Sequence, residues 1–127
     1  MGEPKNSRLI ILLVESNRSL SSLISNVLNR EGYSVLTANS YQEALDLCVE
    51  VTGIDLLVTD IFLPGSSGVD LATQVVQRNP RVKVLYLSSI TEAALRQQGI
   101  SEQASVLVKP LAISDLVSRV HELLSGT

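Results

Sequence analysis

Two acids, two hydroxyls and an amine stand at matching places in this sequence, each where a short apolar run stops. Glu15 and Ser16 follow Leu9–Val14, Asp60 follows Ile54–Thr59, Ser88 follows Val82–Leu87, and Lys109 follows Val106–Val108. Taken singly, each has a plain structural explanation. Asp60 would be a loop or helix cap, Ser88 a turn residue, Lys109 a solvated strand-end lysine, and Ser16 a cap for the helix after it. Taken together, they make one kind of chemistry available. Two carboxylates with hydroxyl and carbonyl oxygens suit a hard cation such as Mg²⁺. The cation would neutralise a phosphoryl group, the lysine would contact it as a point charge, and a carboxylate would be the nucleophile.

These groups meet only if the fold brings the run ends to one edge. The runs Leu9–Val14, Tyr33–Ala38, Ile54–Asp60, Val82–Leu87 and Val106–Val108 read as strands, mostly of the kind buried on both faces. Helical patterns separate them. Leu20, Leu23, Ile24, Val27 and Leu28 form one stripe, with Asn17 or Ser16 as cap and Gly32 as stop. Ser40 and Glu43 form a capping box for a helix presenting Tyr41, Ala44, Leu45 and Cys48 and ending near Gly53. Leu71, Ala72, Val75 and Val76 define a third helix, about Val69 to Arg78, which Asn79-Pro80 stops. A weak helix covers roughly Glu92 to Gln98, and a last one about Ser114 to Leu124. Strand–helix units repeated five times predict an α/β fold with helices on both faces of a parallel sheet. The expected form is flavodoxin-like: a doubly wound (βα)5 sheet of strand order 2-1-3-4-5. All strand carboxyl ends then share one edge, and ligands bind there near the switch between strands one and three.

Bulk properties bound the partners. The 127 residues suit one domain, here 8–125, after a polar lead-in at 1–7. Net charge is -3, there is no basic run, and stacking aromatics are few, so no nucleic-acid partner is expected. The run Leu9–Val14 is too short to span a membrane, so no membrane contact is expected. Met1–Arg8 lacks a signal peptide's apolar segment. The single Cys48, on an inward helix face, reads as core and fits a reducing, cytoplasmic setting. His121 reads as a boundary histidine beside the last apolar stripe, and Asp55, at the opposite edge from Asp60, as a turn residue.

Over about residues 8 to 125 the chain resembles the receiver domain of two-component signalling. The carrying segments are Asp55-Leu-Leu-Val-Thr-Asp60-Ile-Phe-Leu-Pro-Gly65, Lys83-Val-Leu-Tyr-Leu-Ser-Ser89 and Leu107-Val-Lys-Pro-Leu111, and their tone is most similar to receivers of hybrid histidine kinases. The resemblance implies that Asp60 accepts a phosphoryl group from the phosphohistidine of a histidine kinase or histidine phosphotransfer domain. It implies that Lys109 contacts the phosphoryl oxygens, that Ser88 turns toward them, and that Phe62 offers a backbone carbonyl to Mg²⁺. It also implies a cis bond at Lys109-Pro110, and an altered face of helix four, strand five and helix five that binds a downstream protein. Such a chain promotes its own phosphorylation and dephosphorylation rather than acting on a separate substrate.

Two departures stand out. The family usually places two acids after strand one, whereas this chain has Glu15 and Ser16, so a direct metal ligand becomes a hydroxyl. A unit charge about 4 Å from the metal is worth up to about 4 kcal/mol at an effective dielectric near 20, so weakened Mg²⁺ binding is expected. Many receivers also carry a rotating aromatic where Val106 stands, so signalling would run through Ser88 and the loop after it instead. The alternative function is a pseudo-receiver, a binding module of the same fold that is not phosphorylated. A flavin carrier is disfavoured, since the turn Ser16-Asn17-Arg18-Ser19 has no glycine and the chain has no tryptophan. Phe62 stands where aspartate-based phosphatases need a second aspartate.

Overall fold

In the computed structural model, residues 8–125 are described, and the expected lead-in at 1–7 lies outside them. Strands and helices alternate except for one short ribbon: β1 (Ile10–Val14), α1 (Arg18–Arg30), β2 (Ser34–Ala38), α2 (Tyr41–Glu50), β3 (Leu56–Asp60), a two-strand ribbon β4 (Phe62–Leu63) and β5 (Ser66–Ser67), α3 (Gly68–Arg78), β6 (Lys83–Ser88), α4 (Glu92–Gln97), β7 (Ser105–Val108) and α5 (Ile113–Ser125). The main sheet is parallel throughout, in the order β2-β1-β3-β6-β7. Setting aside the ribbon, this is the expected doubly wound order 2-1-3-4-5.

Alternation along the central strands sorts their side chains onto two cores. Leu12, Val14, Leu57, Tyr86 and Val106 pack under α2, α3 and α4, with Ala44, Cys48, Leu71, Val75 and Leu95. Ile11, Leu13, Leu56, Val58, Leu85 and Leu87 pack under α1 and α5, with Ile24, Leu28, Leu116 and Val120. Each fully buried side chain of this size is worth about 1.5–3 kcal/mol relative to exposure, so the two layers hold the sheet rigid between them. That rigidity fixes where the strand ends lie.

Capping sets the helix starts. Asn17 caps α1 by accepting from Leu20 N at 3.0 Å, so Ser16, the other candidate, does not hold that role. Ser40 accepts from Glu43 N, but Glu43 Oε1 returns to Asn39 N at 2.6 Å rather than to Ser40. Helix α2 ends at Glu50, earlier than Gly53 suggested, because Val51 is already extended. The stripes are also narrower than their spacing implied: Leu23 is 47% and Val76 39% exposed.

The ribbon shapes the loop after Asp60. Pro64 and Gly65 make its turn, and Gly65 has φ 85°, as a type II turn requires at its third residue. Gly68, the first residue of α3, passes so close under β3 that a Cβ there would overlap the Asp60 carbonyl. Its amide donates to Ile61 O at 2.6 Å, locking the loop back onto the strand end.

Candidate functional site at the sheet's carboxyl edge

The edge assembles most of the expected set. Lys109 Nζ lies 2.9 Å from Glu15 Oε1 and 2.8 Å from Asp60 Oδ1. Glu15 and Asp60 are 1% and 5% exposed, so both carboxylates are almost wholly removed from water. These are short ion pairs, and the ammonium is the one donor near Glu15 Oε1 and Asp60 Oδ1 among the described residues. The other carboxylate oxygens are held by backbone: Asn17 N donates to Glu15 Oε2 at 3.0 Å, and Ser16 N to Asp60 Oδ2 at a long 3.4 Å. An open cavity of about 180 Å³ sits over the cluster, lined by Ser16, Asp60, Phe62, Leu87, Ser89 and Lys109.

Each group is aimed by its own element. Glu15 is anchored through its amide to Ala38 O at 3.1 Å, while Asn39 Nδ2 donates to its carbonyl at 3.2 Å. Asp60 ends β3, and its carbonyl accepts from Thr59 Oγ1 at 2.9 Å. Lys109 N donates to Ser88 O at 2.7 Å, continuing the β6–β7 ladder past its end, and the Lys109-Pro110 bond is cis, as expected.

Burial raises the Asp60 pKa to about 6, with Lys109 opposing the shift and Glu15 adding to it. Burial alone would lower the Lys109 pKa, but the Asp60 and Glu15 carboxylates outweigh it and raise it, keeping the ammonium charged.

Ser88 and Val106, the two residues expected to bear on signalling, lie away from the cavity wall. Ser88 is buried, and its hydroxyl does not line the cavity. It donates to Ile90 O at 2.9 Å and accepts from Ile90 N at 3.0 Å, and Ser89 takes its place at the wall. The loop after β6 turns back at Ile90 and supplies both partners locally, a competition the sequence does not reveal. Val106 is buried and pairs across the sheet with Tyr86, so the aromatic on this face belongs to β6 rather than β7. Ser89, Asn39 and Gly68 were not singled out in the sequence. Of these, Gly68 had a signal, as a glycine placed where loop turns to helix.

No group of three or more His, Cys, Asp or Glu is arranged to hold a metal among the described residues. Two buried carboxylate oxygens whose one nearby donor is an ammonium nevertheless suit Mg²⁺, which binds through one or two carboxylates and takes its remaining oxygens from carbonyl, water and phosphate.

Comparison with known proteins agrees with the fold. The family model described as "Response regulator receiver domain" matches residues 11–121. The transcriptional regulatory protein CpxR of Escherichia coli (strain K12) is 32% identical over 115 residues, covering 90% of this chain and 48% of that protein. The response regulator receiver protein CpdR of Brucella abortus (strain 2308) is 28% identical over 115 residues, covering 90% of this chain and 95% of its own. The crystal structure of the receiver domain from hybrid histidine kinase CckA superposes with a TM-score of 0.77 at 31% identity, covering 91% of this chain and 99% of that one. The chain spans about half the length of curated relatives such as CpxR. With the family model matching most of its length, the chain belongs to the response regulator receiver domain family of two-component signalling.

Proposed function

We propose that this chain accepts a phosphoryl group on Asp60 from the phosphohistidine of a histidine kinase or histidine phosphotransfer domain, assisted by Mg²⁺, and then changes its binding to a further protein. One observation carries this: Asp60 lines an open cavity with its Oδ1 buried and 2.8 Å from the Lys109 ammonium, its sole partner among the described residues besides Glu15. With a pKa of about 6 the carboxylate is mostly ionised at neutral pH, the form that attacks, and it is held at the cavity wall ready to do so.

An Asp60 carboxylate oxygen attacks phosphorus, the P–N bond breaks, and the departing imidazole keeps the electron pair and takes up a proton. Lys109, already beside Asp60, moves onto the phosphoryl oxygens. Glu15, Asp60 and the Phe62 carbonyl would hold Mg²⁺, with the Ser16 hydroxyl beside them; when bound, the ion neutralises charge on the transferred group. Ser88 reaches the new phosphate by giving up its two bonds to Ile90, which loosens the start of the short helix α4. The face of α4, β7 and α5 is where a downstream protein would feel that change. The acceptor is the chain's own side chain, so no separate substrate is turned over. No helix among the described residues is long and apolar enough to cross a membrane, which fits a cytoplasmic role.

The absent acid at Ser16 favours the second reading, an unphosphorylated binding module. Intact mass after incubation with acetyl phosphate and Mg²⁺ separates the two. Addition of one phosphoryl group to the wild type and none to Asp60→Asn is the expected result; an unchanged mass at saturating Mg²⁺ selects the binding module.

A further inference from the structure

Lys109 is the cation already in the site. Its ammonium sits against two buried carboxylate oxygens that have no other donor among the described residues, 2.9 Å from Glu15 and 2.8 Å from Asp60. Two carboxylates and one ammonium leave a single net negative charge in the cluster. Among the described residues no third acid adds to it. The residue after Glu15 is Ser16, exposed at the cavity wall, and its amide is a long 3.4 Å from Asp60 Oδ2.

A divalent cation arriving alone would have to share those two oxygens with an ammonium, in a cluster whose charge does not balance its own. A phosphoryl group changes both conditions. It brings negative charge to the same place, and its oxygens offer the ammonium a stronger set of acceptors, which frees the carboxylates.

We propose that Lys109 closes the unphosphorylated site to metal, and that Ser16, by leaving out an acid, makes Mg²⁺ and the phosphoryl group enter as a coupled pair instead of metal first. This rests on the phosphoryl-acceptor reading above and describes how that site is regulated. Free Mg²⁺ then does not prime the receiver, and metal affinity reports the state of Asp60. Coupling of this kind is reciprocal: the phosphoryl group raises metal affinity by the same factor as metal raises affinity for the phosphoryl group, and a change that relieves the resting state alone shrinks that factor.

The test titrates Mg²⁺ against the wild type, Ser16→Asp and Lys109→Gln, read by amide chemical shifts, with and without beryllium fluoride as the phosphoryl mimic. The dispersed amide spectrum of each variant checks its folding, and Lys109→Met replaces Lys109→Gln if that variant fails. Without the mimic, the wild type is expected to bind Mg²⁺ at least about tenfold more weakly than either variant. The mimic is expected to raise metal affinity in the wild type by a factor at least about tenfold larger than in Ser16→Asp. Equal affinity for Mg²⁺ alone in the wild type and either variant overturns the proposal. The metal-alone titrations need no phosphoryl chemistry. Failure of beryllium fluoride to bind the wild type at saturating Mg²⁺ would instead count against the acceptor reading.

Discussion

Strand β3 has an aspartate at each end, and the two do opposite things. Asp55, just before the strand, uses its carboxylate on the backbone: Oδ2 accepts from Ile10 N at 2.7 Å. Its own amide donates to Ile10 O at 2.8 Å, and its carbonyl accepts from Lys83 N at 3.0 Å. Nearby, Asn79 Oδ1 accepts from Gly53 N and Ile54 N, each at 3.2 Å. The amino edge is thus a place where side-chain acceptors are matched to backbone donors. Asp60, at the other end, is buried, with one oxygen facing only the Lys109 ammonium and a cavity above it. The same residue type is a clamp where backbone donors satisfy its acceptors, and under the proposed function a reagent where a mobile ammonium does. What holds β3 at its carboxyl end is not Asp60 but the backbone around it, chiefly Gly68.

The contrast is broken most severely at Gly68. A Cβ there would overlap the Asp60 carbonyl oxygen and lie 3.0 Å from its carbon and 3.1 Å from Ile61 Cα. All of these are backbone atoms, which cannot swing aside. Gly68→Ala is expected to cost about 3 kcal/mol of unfolding free energy, at the upper end of overpacking effects, and to displace Asp60. Chemical denaturation measures the loss. A near-neutral result would mean that the carboxyl end is not held by close backbone packing, and the contrast between the ends would lose its structural half.

At the amino edge, Asp55→Ala is expected to destabilise by about 2 kcal/mol, because it removes a charged acceptor and leaves the Ile10 amide half-buried without one. The same variant should keep full phosphoryl uptake in the acetyl phosphate assay. Loss of uptake in a folded Asp55→Ala protein would show that the two ends are not functionally separate.

How much of this was legible in the sequence follows from length scale. Continuous aliphatic runs such as Ile10–Val14 suit a strand buried on both faces, and their alternation with helical stripes restricted the winding to a few orders, of which 2-1-3-4-5 suits five strands. The strand ends were therefore legible, and with them Glu15, Asp60 and Lys109 as neighbours. The ribbon at Phe62–Leu63 and Ser66–Ser67 was not, because strands of two residues carry no periodicity. Nor was the hydroxyl direction of Ser88, which depends on where the loop places the Ile90 amide and carbonyl. The role of Asp55 was half-legible: its place at the far edge was clear, but its partner, Ile10, is 45 residues away across β1. Long-range pairing of a side chain with backbone needs the sheet register, which the pattern of apolar residues does not supply.

The smallest expected effect sharpens the comparison most, because its sign is opposite to that at Asp55. Burial raises the Asp60 pKa from 3.8 to about 6, so the folded protein pays for the charge while the unfolded chain does not. The favourable contribution of the neutral acid is complete below about pH 4 and is lost as pH rises through about 6. At about 1.4 kcal/mol per pKa unit the full penalty at neutral pH is at most about 3 kcal/mol. Asp60→Asn removes the charge but also deprives Lys109 of one of its two carboxylates, which offsets much of that gain. The variant is therefore expected to be more stable than the wild type by about 1 kcal/mol at pH 8 in metal-free buffer, with the advantage shrinking between pH 6 and pH 4. Denaturation of both proteins across that range measures it. A pH-independent difference, or a wild type that is the more stable at pH 8, would show that Asp60 is as well satisfied as Asp55, and the distinction between clamp and reagent would fall.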